Sequence, residues 1–285
     1  MEAVWRAILW AIALNLPKPR PVLDLTPADW LTAGVEGFAL GVRSLIPDRF
    51  EAFGRILHPV GRIIGQAELS APDVHVPEGE PALRWADIAE RTGRTIHPGV
   101  QFDSLIGAPR EADRPYEAEV GTLDRDLYAA LCDLLEAHTS TPQQCWFCLW
   151  DGYGQLQGGA AVAKLDVGGA APVDEAPQPP AFEPAITHGP RVSIPGREYL
   201  LLEGHLRGWG HFFAEWWESP NIIWPEDRAW CVATEIDLDS TYLGGSAELI
   251  ESLVADDRFE ALEVRPDDPI DTTGDTINGP VVPPD

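Results

Sequence analysis

Residues 208–246, GWGHFFAEWWESPNIIWPEDRAWCVATEIDLDSTYLGGS, decide the fold of this 285-residue chain. The stretch holds five of the chain's eleven tryptophans, and aromatic side chains dominate the energetics of protein cores. Its first part predicts a helix, because aromatic residues recur at the spacing of one helical face. These residues are Trp209, Phe212, Phe213, Trp216 and Trp217. The helix is expected to begin beyond Gly210, since glycine disfavours a helix interior, and to end at Ser219-Pro220.

The second part of the stretch predicts one strand from Trp230 to Asp239, because its side chains alternate between two faces. One face carries Trp230, Val232, Thr234, Ile236 and Leu238, and the other carries Cys231, Ala233, Glu235, Asp237 and Asp239. Gly244-Gly245 are expected to turn the chain. Ser246 is then placed to cap a helix, and residues 259–264 predict a last strand.

The rest of the chain alternates helical and extended patterns. Helices are predicted at residues 3–16, 26–31, 85–92 (with Gly93 as the C-terminal cap) and 124–138. Strands are predicted at residues 38–46, 50–58, 145–150 and 198–202, and loops at residues 66–83 and 98–121. Together these patterns predict an α+β fold, a single domain with a mixed β-sheet packed by helices.

Composition divides the chain into three parts. Residues 1–33 form the predicted N-terminal helical extension, and residues 34–264 form the α+β domain. Within that domain, residues 155–194 are rich in Pro, Gly and Ala, so we expect a long, flexible and disordered linker there. The acidic tail, residues 265–285, is rich in Pro, Asp, Thr and Gly, and we expect it to be disordered for the same reason.

The chain is strongly acidic, since 46 Asp and Glu residues against 20 Lys and Arg residues give a net charge of −26. This charge repels phosphate backbones and anionic lipid, so we expect no direct binding to nucleic acid or to a membrane surface. It favours solubility, or attraction to a basic protein partner. The apolar start of the chain lacks a positively charged segment before it and is too short to span a bilayer. With only four cysteines, these features predict a cytoplasmic protein.

The four cysteines include a pair, Cys145 and Cys148, with the spacing of zinc and redox motifs. On a strand, however, an interval of three residues places two side chains on opposite faces, which favours two core cysteines. His58 and His97, each followed by proline, are a second candidate pair. They either face a cleft together with Gln101 or are structural residues with hydrogen-bond partners of their own.

Acidic residues near the end of the predicted strand are candidate ligands for Mg²⁺ or Ca²⁺. They are Glu235, Asp237 and Asp239, with Glu226 and Asp227 nearby. The alternative is a solvated strand edge, on which acidic residues discourage pairing with other strands. We assign no metal, no cofactor and no catalytic residue, because the sequence contains neither HExxH nor GxSxG and no other complete catalytic motif.

The loop from Ser219 to Arg228 carries the predicted binding site. Pro220 and Pro225 fix the backbone of this loop. If Trp224 projects from it, the ring suits a ligand or a protein partner; if Trp224 packs inward, the loop is a structural brace. The predicted partner-binding or ligand-binding residues are Trp216, Trp224, Glu226, Asp227, Arg228 and Glu235.

Two segments, CWFCLWDGYG (residues 145–154) and SPNIIWPEDRAWCVATEIDLDSTYLGGS (residues 219–246), resemble a family of uncharacterised proteins from high-GC actinobacteria. The scarcity of Lys and Met and the abundance of Ala, Pro, Gly and Asp are similar to that source. The resemblance covers about residues 50–264 outside the linker. It implies no activity, cofactor or site residue.

The sequence therefore favours a non-catalytic binding protein, of the immunity or regulatory type, that engages a basic partner through its acidic surface. The alternative is an enzyme or small-ligand binder that uses the Trp-rich acidic loop 219–239, with a divalent metal as an option. The oligomeric state stays open at this stage.

Overall fold

The computed structural model describes residues 16–37, 41–62, 82–107, 116–157, 182–213 and 217–278. The strands are β1 (Arg20–Pro21), β2 (Ala52–Leu57), β3 (Val60–Arg62), β4 (Tyr116–Ala118), β5 (Cys145–Trp150), β6 (Val192–Ile194), β7 (Arg197–Gly204), β8 (Ile222–Pro225), β9 (Cys231–Thr234), β10 (Ser240–Gly245) and β11 (Ala261–Val264). The α-helices are α1 (Asp29–Gly34), α2 (Trp85–Thr92), α3 (Phe102–Ile106), α4 (Arg125–Glu136), α5 (Pro184–Thr187) and α6 (Ala247–Ala255). Short 3₁₀ helices lie at Thr26–Ala28, Val42–Ser44, Gly154–Gln157 and Leu206–His211.

Nine of these strands form one sheet in the order β1-β7-β5-β8-β9-β10-β2-β11, with β6 beside β7. β3 and β4 form a separate two-stranded ribbon. The α+β class is confirmed, but the sheet is not mixed, because every strand pair in the described residues is antiparallel. The strands β6-β7 and β8-β9-β10 follow one another through short connections, and short connections permit only antiparallel pairing.

Both faces of the sheet are buried, so the protein has a core on each side. Phe147 and Leu149 of β5 pack into the first core, against Leu131 of α4 and Leu253 of α6. The neighbouring β5 residues Trp146 and Cys148 pack into the second core. This core also contains Ala28, Leu31, Val35, Val42, Leu45 and Ile46. Cys145 lies in the first core and Cys148 in the second, as the interval of three predicts. All four cysteines are buried free thiols.

A smaller core lies beside the end of β2, between the β3-β4 ribbon, α2 and α3. Its central residue, Trp85, is fully buried and donates from its indole Nε1 to the carbonyl oxygen of His58 at 2.9 Å. α2 ends as the sequence predicts, with Gly93 in the left-handed region at a φ of 68°. The predicted loop 98–121, in contrast, contains α3 and β4, because the apolar Phe102 and Leu105 are buried in this core.

The predicted aromatic helix after Gly210 is wrong in the residues that the structure describes there. Residues 206–211 form a 3₁₀ helix that includes both Gly208 and Gly210, and residues 217–221 are not helical; Trp216 lies outside the described residues. Tertiary packing explains the difference, because Trp209 is fully buried and stacks on Phe147 and Phe212 at centroid distances of 5.3 and 4.6 Å. At Gly208 a Cβ atom would lie 2.8 Å from the carbonyl oxygen of Pro17.

The predicted strand 230–239 is also wrong beyond Thr234. It is a hairpin, in which β9 ends at Thr234, residues 235–239 turn, and β10 begins at Ser240. The backbone N–H of Asp237 donates to the Glu235 carboxylate at 2.6 Å, and such a local bond competes with strand pairing. Gly244-Gly245 lie inside β10 rather than in a turn.

Several other predicted elements are confirmed. Asp124 caps α4 by accepting from the backbone N–H groups of Asp126 and Leu127, and Ser246 caps α6 by accepting from Leu249. The helix over residues 26–34 and strands β2, β5, β7 and β11 lie where the sequence places them. Residues 42–44, which the sequence predicts as extended, form a 3₁₀ helix instead, and Val42 and Ser44 are buried there.

Some segments predicted to lie outside the fold are part of it. The sequence predicts residues 20–21 to be part of a helical extension. They instead form β1, which pairs with β7 and adds a strand to the sheet. Residues 182–194 contain α5 and β6, and residues 265–278 of the predicted disordered tail lie against the rest of the protein, anchored by the buried Ile270 and Asp275. Residues 1–15, with most of the predicted first helix, residues 158–181 of the predicted linker and residues 279–285 lie outside the described residues.

Close packing at Gly244 gives a first test of this fold. A Cβ atom there would lie 2.6 Å from a ring carbon of Phe50 and 3.0 Å from Cγ2 of Ile46. We expect Gly244→Ala to lower the free energy of unfolding by about 1–3 kcal/mol through overpacking. Gly61→Ala is the control, because its nearest neighbour would be 3.9 Å away and a change within about 0.5 kcal/mol is expected. Urea denaturation measures both; equal stability of the two variants would contradict the packing.

Candidate functional site

Apart from Trp216, which lies outside the described residues, the predicted binding residues lie at two opposite ends of the sheet. β8 and β9 are antiparallel neighbours, with Ile222 opposite Ala233. Glu226 follows the end of β8 and Glu235 follows the end of β9, so these two carboxylates are separated by the length of the strands. We call the first end, where residues 139–146, 202–206 and 225–231 meet, the Glu226 end. The second, where residues 57–60, 119–122, 150–153 and 234–241 meet, is the Glu235 end.

Trp224 packs inward. Its side chain is 1% exposed and lies in the second core, with its ring edge-on to Trp30 at 5.8 Å. The guanidinium groups of Arg49 and Arg228 lie over the same Trp30 ring, at 5.3 and 5.6 Å from its centroid. The structural-brace alternative therefore holds for Trp224, and its ring is not available to a ligand on the surface.

The carboxylates of the Glu226 end are exposed but already hold neighbouring segments together. Asp227 accepts from the Thr139 hydroxyl at 2.8 Å and from the Ser140 backbone N–H at 2.7 Å. Burial raises the pKa of Asp227, but the hydrogen bonds from Ser140 and Thr139 outweigh burial and bring the pKa below its ordinary value. Glu226 accepts from the indole Nε1 of Trp146 at 2.7 Å. Arg228 has a φ of 55°, the left-handed backbone that closes this tight turn.

At the other end, Glu235 is a buried partner of an arginine. It is 8% exposed, and Arg197 donates from Nε to its carboxylate at 2.6 Å. The same guanidinium pairs with the exposed Asp237. Glu235 therefore fixes the hairpin turn after β9 against the start of β7, and its charge is largely neutralised by Arg197.

A cluster that the sequence analysis missed lies beside Glu235, where residues 119–124 cross the end of the sheet. The backbone N–H of Glu119 donates to Pro59 at 3.0 Å, and that of Gly121 donates to Leu238 at 2.9 Å. Gly121 is required here, because its φ is 82° and a Cβ atom would lie 2.6 Å from the carbonyl oxygen of Ile236. The Thr122 hydroxyl accepts from the backbone N–H of Ser219 at 2.9 Å, and the Ser219 hydroxyl accepts from the backbone N–H of Leu123 at 3.0 Å. These bonds bring the neighbouring Glu218 to the same end of the sheet.

The carboxylates of Glu119, Asp124 and Glu218, which we call the acidic cluster, repel one another. Partial burial raises the pKa of Glu119 to about 7, with further contributions from Asp124 and Glu218. Burial also raises the pKa of Glu218, against hydrogen bonds from the hydroxyls of Thr122 and Tyr153. In the described part of the chain, no Lys or Arg forms an ion pair with these three carboxylates. Glu119 is nevertheless exposed, so a cation can reach it.

Uncharged polar groups surround the acidic cluster. Asn221 donates from Nδ2 to the Tyr153 hydroxyl at 3.2 Å and accepts from the backbone N–H of Trp150 at 2.8 Å. Burial, and then the Glu218 carboxylate, raise the pKa of Tyr153, so the phenol stays protonated. No local pattern marks this site, because Glu119 and Glu218 are far apart in sequence and Glu119 lies in a predicted loop.

The two candidate histidines have separate structural partners. His58 is fully buried between the carbonyl oxygen of Glu119 at 2.8 Å and the Thr241 hydroxyl at 2.9 Å. Burial lowers its pKa to about 4, so the imidazole is neutral at pH 7. His97 instead lies 2.9 Å from the carboxylate of Asp275. The structural alternative therefore holds for both.

Comparisons with known proteins add no assignment. The chain matches no protein-family model, and neither curated proteins nor solved structures show a match. Within the described ranges, no group of three or more His, Cys, Asp or Glu residues is arranged to hold a metal ion. In the same ranges, no helix combines the length and apolarity needed to cross a membrane. The candidate sites are therefore the polar residues at the two ends of the sheet.

The brace at Asp227 predicts a pH-dependent loss of stability. Asp227→Asn removes a charged acceptor, and we expect the free energy of unfolding at pH 7 to fall by about 1 kcal/mol, a modest value because the group is exposed. The folded pKa lies below the unfolded value, so this contribution is present above about pH 4 and disappears as the pH falls. Denaturation of both proteins at a series of pH values measures the difference. Glu226→Gln, which keeps an acceptor for Trp146, is the control; an equal loss there would argue against a specific brace.

The acidic cluster predicts an unusual titration. We expect the Glu119 carboxyl to titrate at about pH 7 in carbon-detected NMR, and Glu218→Gln to lower that pKa by removing a like charge. Because the folded pKa is raised above the unfolded value, this group lowers stability as the pH rises from about 4.5 to about 7. Glu119→Gln should therefore be more stable than wild type above that range. The control Glu226→Gln should leave the titration unchanged, and a Glu119 pKa near 4.5 in wild type would refute the cluster.

Proposed function

We propose that this protein is a non-catalytic binding protein, of the immunity or regulatory type, that engages a basic protein partner at the Glu235 end of its sheet. The observation that supports this proposal is the unpaired acidic cluster, in which Glu119 is held at a pKa of about 7. The net charge of −26 adds a long-range attraction for a basic partner. The rigid frame of residues 119–124 fixes the charges before a partner arrives.

Mutual repulsion within the cluster makes it a receptor for positive charge. A lysine or arginine placed between Glu119 and Glu218 relieves the repulsion and lowers both pKa values, so the partner displaces the proton that Glu119 carries. Binding is then linked to proton release, and affinity rises with pH through the Glu119 pKa. The Asn221 and Tyr153 groups lie beside the carboxylates and supply further hydrogen-bonding atoms.

The Glu226 end is a weaker candidate for the main contact. The Asp227 carboxylate is occupied by Thr139 and Ser140, and Trp224 is buried beneath it. Glu226, Asp227 and Arg228 are nevertheless exposed, so a contribution of this loop to partner binding stays a prediction.

One observation favours a second candidate, an enzyme or small-ligand binder at the same end of the sheet. A carboxylate with a pKa near neutrality, such as that of Glu119, suits a general base. Its neighbour Glu218 contacts Tyr153, and Tyr153 is hydrogen-bonded to Asn221 of the loop 219–239. Native mass spectrometry of the protein isolated from its own host separates the two candidates. A retained small molecule favours the second, and a bound basic protein favours the first.

The proposed function is tested with a synthetic oligolysine peptide, because any protein of this charge attracts a polycation and only matched variants reveal a specific surface. We expect the double variant Glu119→Gln/Glu218→Gln to bind at least about five-fold more weakly than wild type, the factor that corresponds to about 1 kcal/mol. Glu226→Gln/Glu248→Gln removes the same charge elsewhere and should have a smaller effect. Fluorescence anisotropy at several salt concentrations measures all three proteins.

Wild-type affinity should also rise between about pH 6 and about pH 8, and this rise should vanish in the Glu119→Gln/Glu218→Gln variant. Equal weakening by the two double variants, together with a flat pH profile in wild type, would mean that the peptide responds to net charge alone and would contradict the proposal.

A further inference from the structure

Residues 271–278, which we call the clasp, lie against residues 94–101, which we call the socket loop. Asp275 is the centre of this contact, since its side chain is 0% exposed. One carboxylate oxygen lies 2.9 Å from Nε2 of His97, and the other accepts from the backbone N–H of Gln101 at 3.3 Å. Asn278 adds a pair of hydrogen bonds, because its side-chain amide both accepts from and donates to the backbone of Thr95 at 2.9 Å.

The socket loop is held from its other side by a buried arginine. Arg55 is 2% exposed and donates from Nη1 to the carbonyl oxygens of Pro98 at 3.1 Å and Val100 at 2.7 Å. Its guanidinium carbon also lies 5.5 Å from the Trp85 ring and 5.9 Å from the Tyr242 ring. The socket loop therefore keeps its shape through Arg55 whether or not the clasp is in place.

The socket loop has one more donor than the clasp uses. Gln101 is 9% exposed, and among the described residues its side-chain Nε2 finds no hydrogen-bond partner. A buried amide without an acceptor costs about 1–3 kcal/mol, so the closed arrangement leaves a penalty that opening to water or to another acceptor removes. The groups of the socket loop that contact the Asp275 carboxylate are the N–H of Gln101 and the imidazole of His97, and both are suited to a carboxylate.

The clasp itself is attached by polar contacts rather than by an apolar core. Ile270, just before it, is buried at 6% exposure, whereas Ile277 within it is 59% exposed. Segments with little buried apolar surface open locally at a free energy well below that of global unfolding. Ile270 therefore marks the point from which the clasp can swing away.

We propose that the socket loop is a carboxylate-binding site that the chain fills with its own Asp275, and that the clasp leaves this site while the sheet stays folded. The ligand class is an acidic peptide with the Asp-x-x-Asn spacing of Asp275 and Asn278. The clasp competes with such a peptide, because its covalent connection gives it an effective concentration in the millimolar range.

Hydrogen exchange on the full chain tests the opening. In wild type, we expect the amides of Thr95 and Gln101 to exchange at least about a hundred-fold faster than those of Phe147 and Val232 in the central strands. Asp275→Asn should speed exchange at Thr95 and Gln101 by a further ten-fold, roughly, and leave the central strands unchanged. Exchange of all these amides at one common rate would overturn the proposal.

The control for this experiment is Asp271→Asn, which removes the same charge from the same segment. In the described part of the chain, the Asp271 carboxylate accepts within its own turn, from the backbone N–H and hydroxyl of Thr273 at 2.9 and 2.6 Å. We expect it to leave exchange at Thr95 and Gln101 as in wild type. An effect as large as that of Asp275→Asn would mean that the segment responds to charge and not to the socket.

Peptide binding tests the site. The probe is a synthetic peptide of residues 268–278, added to the full-length Asp275→Ala variant and to wild type. We expect the variant to bind it at least ten-fold more tightly, roughly, because the clasp of wild type occupies the socket. A peptide with Asp275→Asn should bind neither protein measurably. Equal binding of both peptides to the variant, or equal affinity of the variant and wild type, would overturn the proposal.

Discussion

Burial of both faces of the central strands is the constraint on which the rest of the structure depends. β5, β8 and β9 each present one row of side chains to each core, so Phe147 and Trp146, though adjacent in sequence, stabilise opposite sides of the sheet. Three large aromatic residues are fully buried in these two cores: Trp209 and Trp230 in the first and Trp224 in the second. In these three strands the two buried faces leave little room for polar side chains, which lie mostly at the strand ends and in the segments that cross them.

The two ends of the sheet use their carboxylates differently. At the Glu226 end, Glu226 accepts a hydrogen bond from the indole of Trp146, and Asp227 accepts one from the hydroxyl of Thr139. These bonds tie the loop to the neighbouring segments. At the Glu235 end, Arg197 neutralises Glu235, whereas no described Lys or Arg forms an ion pair with Glu119, Asp124 or Glu218, and the charges of Asp124 and Glu218 raise the pKa of Glu119. The repulsion is maintained because Gly121, Thr122 and Ser219 fix the backbone on which these carboxylates stand. Preorganised repulsion of this kind is what a cationic partner can exploit.

Local sequence signals predicted the elements whose determinants are also local. The helical spacing of Leu127, Leu131, Leu134 and Leu135 and the cap at Asp124 identify α4. Gly93 ends α2, and the interval between Cys145 and Cys148 separates two faces of β5. The hairpin after Thr234 differs from the predicted strand for two reasons. Glu235 accepts locally from the N–H of Asp237, and it is held by Arg197, which is remote in sequence and leaves no local signal. Gly244 predicts a turn, but it lies inside β10, where the absence of a side chain allows the ring of Phe50 to pack against the strand.

The site could be predicted less well than the fold. The unusual local sequence around Trp224 and Asp227 predicts that they bind a partner or ligand. Their environments, however, are set by Trp30 and Thr139, which come from other parts of the chain. Glu119 and Glu218 carry no motif, and only the crossing of residues 119–124 over the sheet brings them together. The tail shows the same limit: its composition indicates disorder, whereas Asp275 finds a set of donors on the socket loop that composition does not reveal.

We propose that the Glu235 end, and not the Glu226 end, receives a basic partner. Zero-length carboxylate-to-amine cross-linking in lysates of the native host, followed by peptide mass spectrometry, distinguishes the two ends. We expect Glu119 or Glu218 to be joined to a lysine of a basic protein. Cross-links that fall at Glu226 or Asp227 and spare the acidic cluster would contradict it.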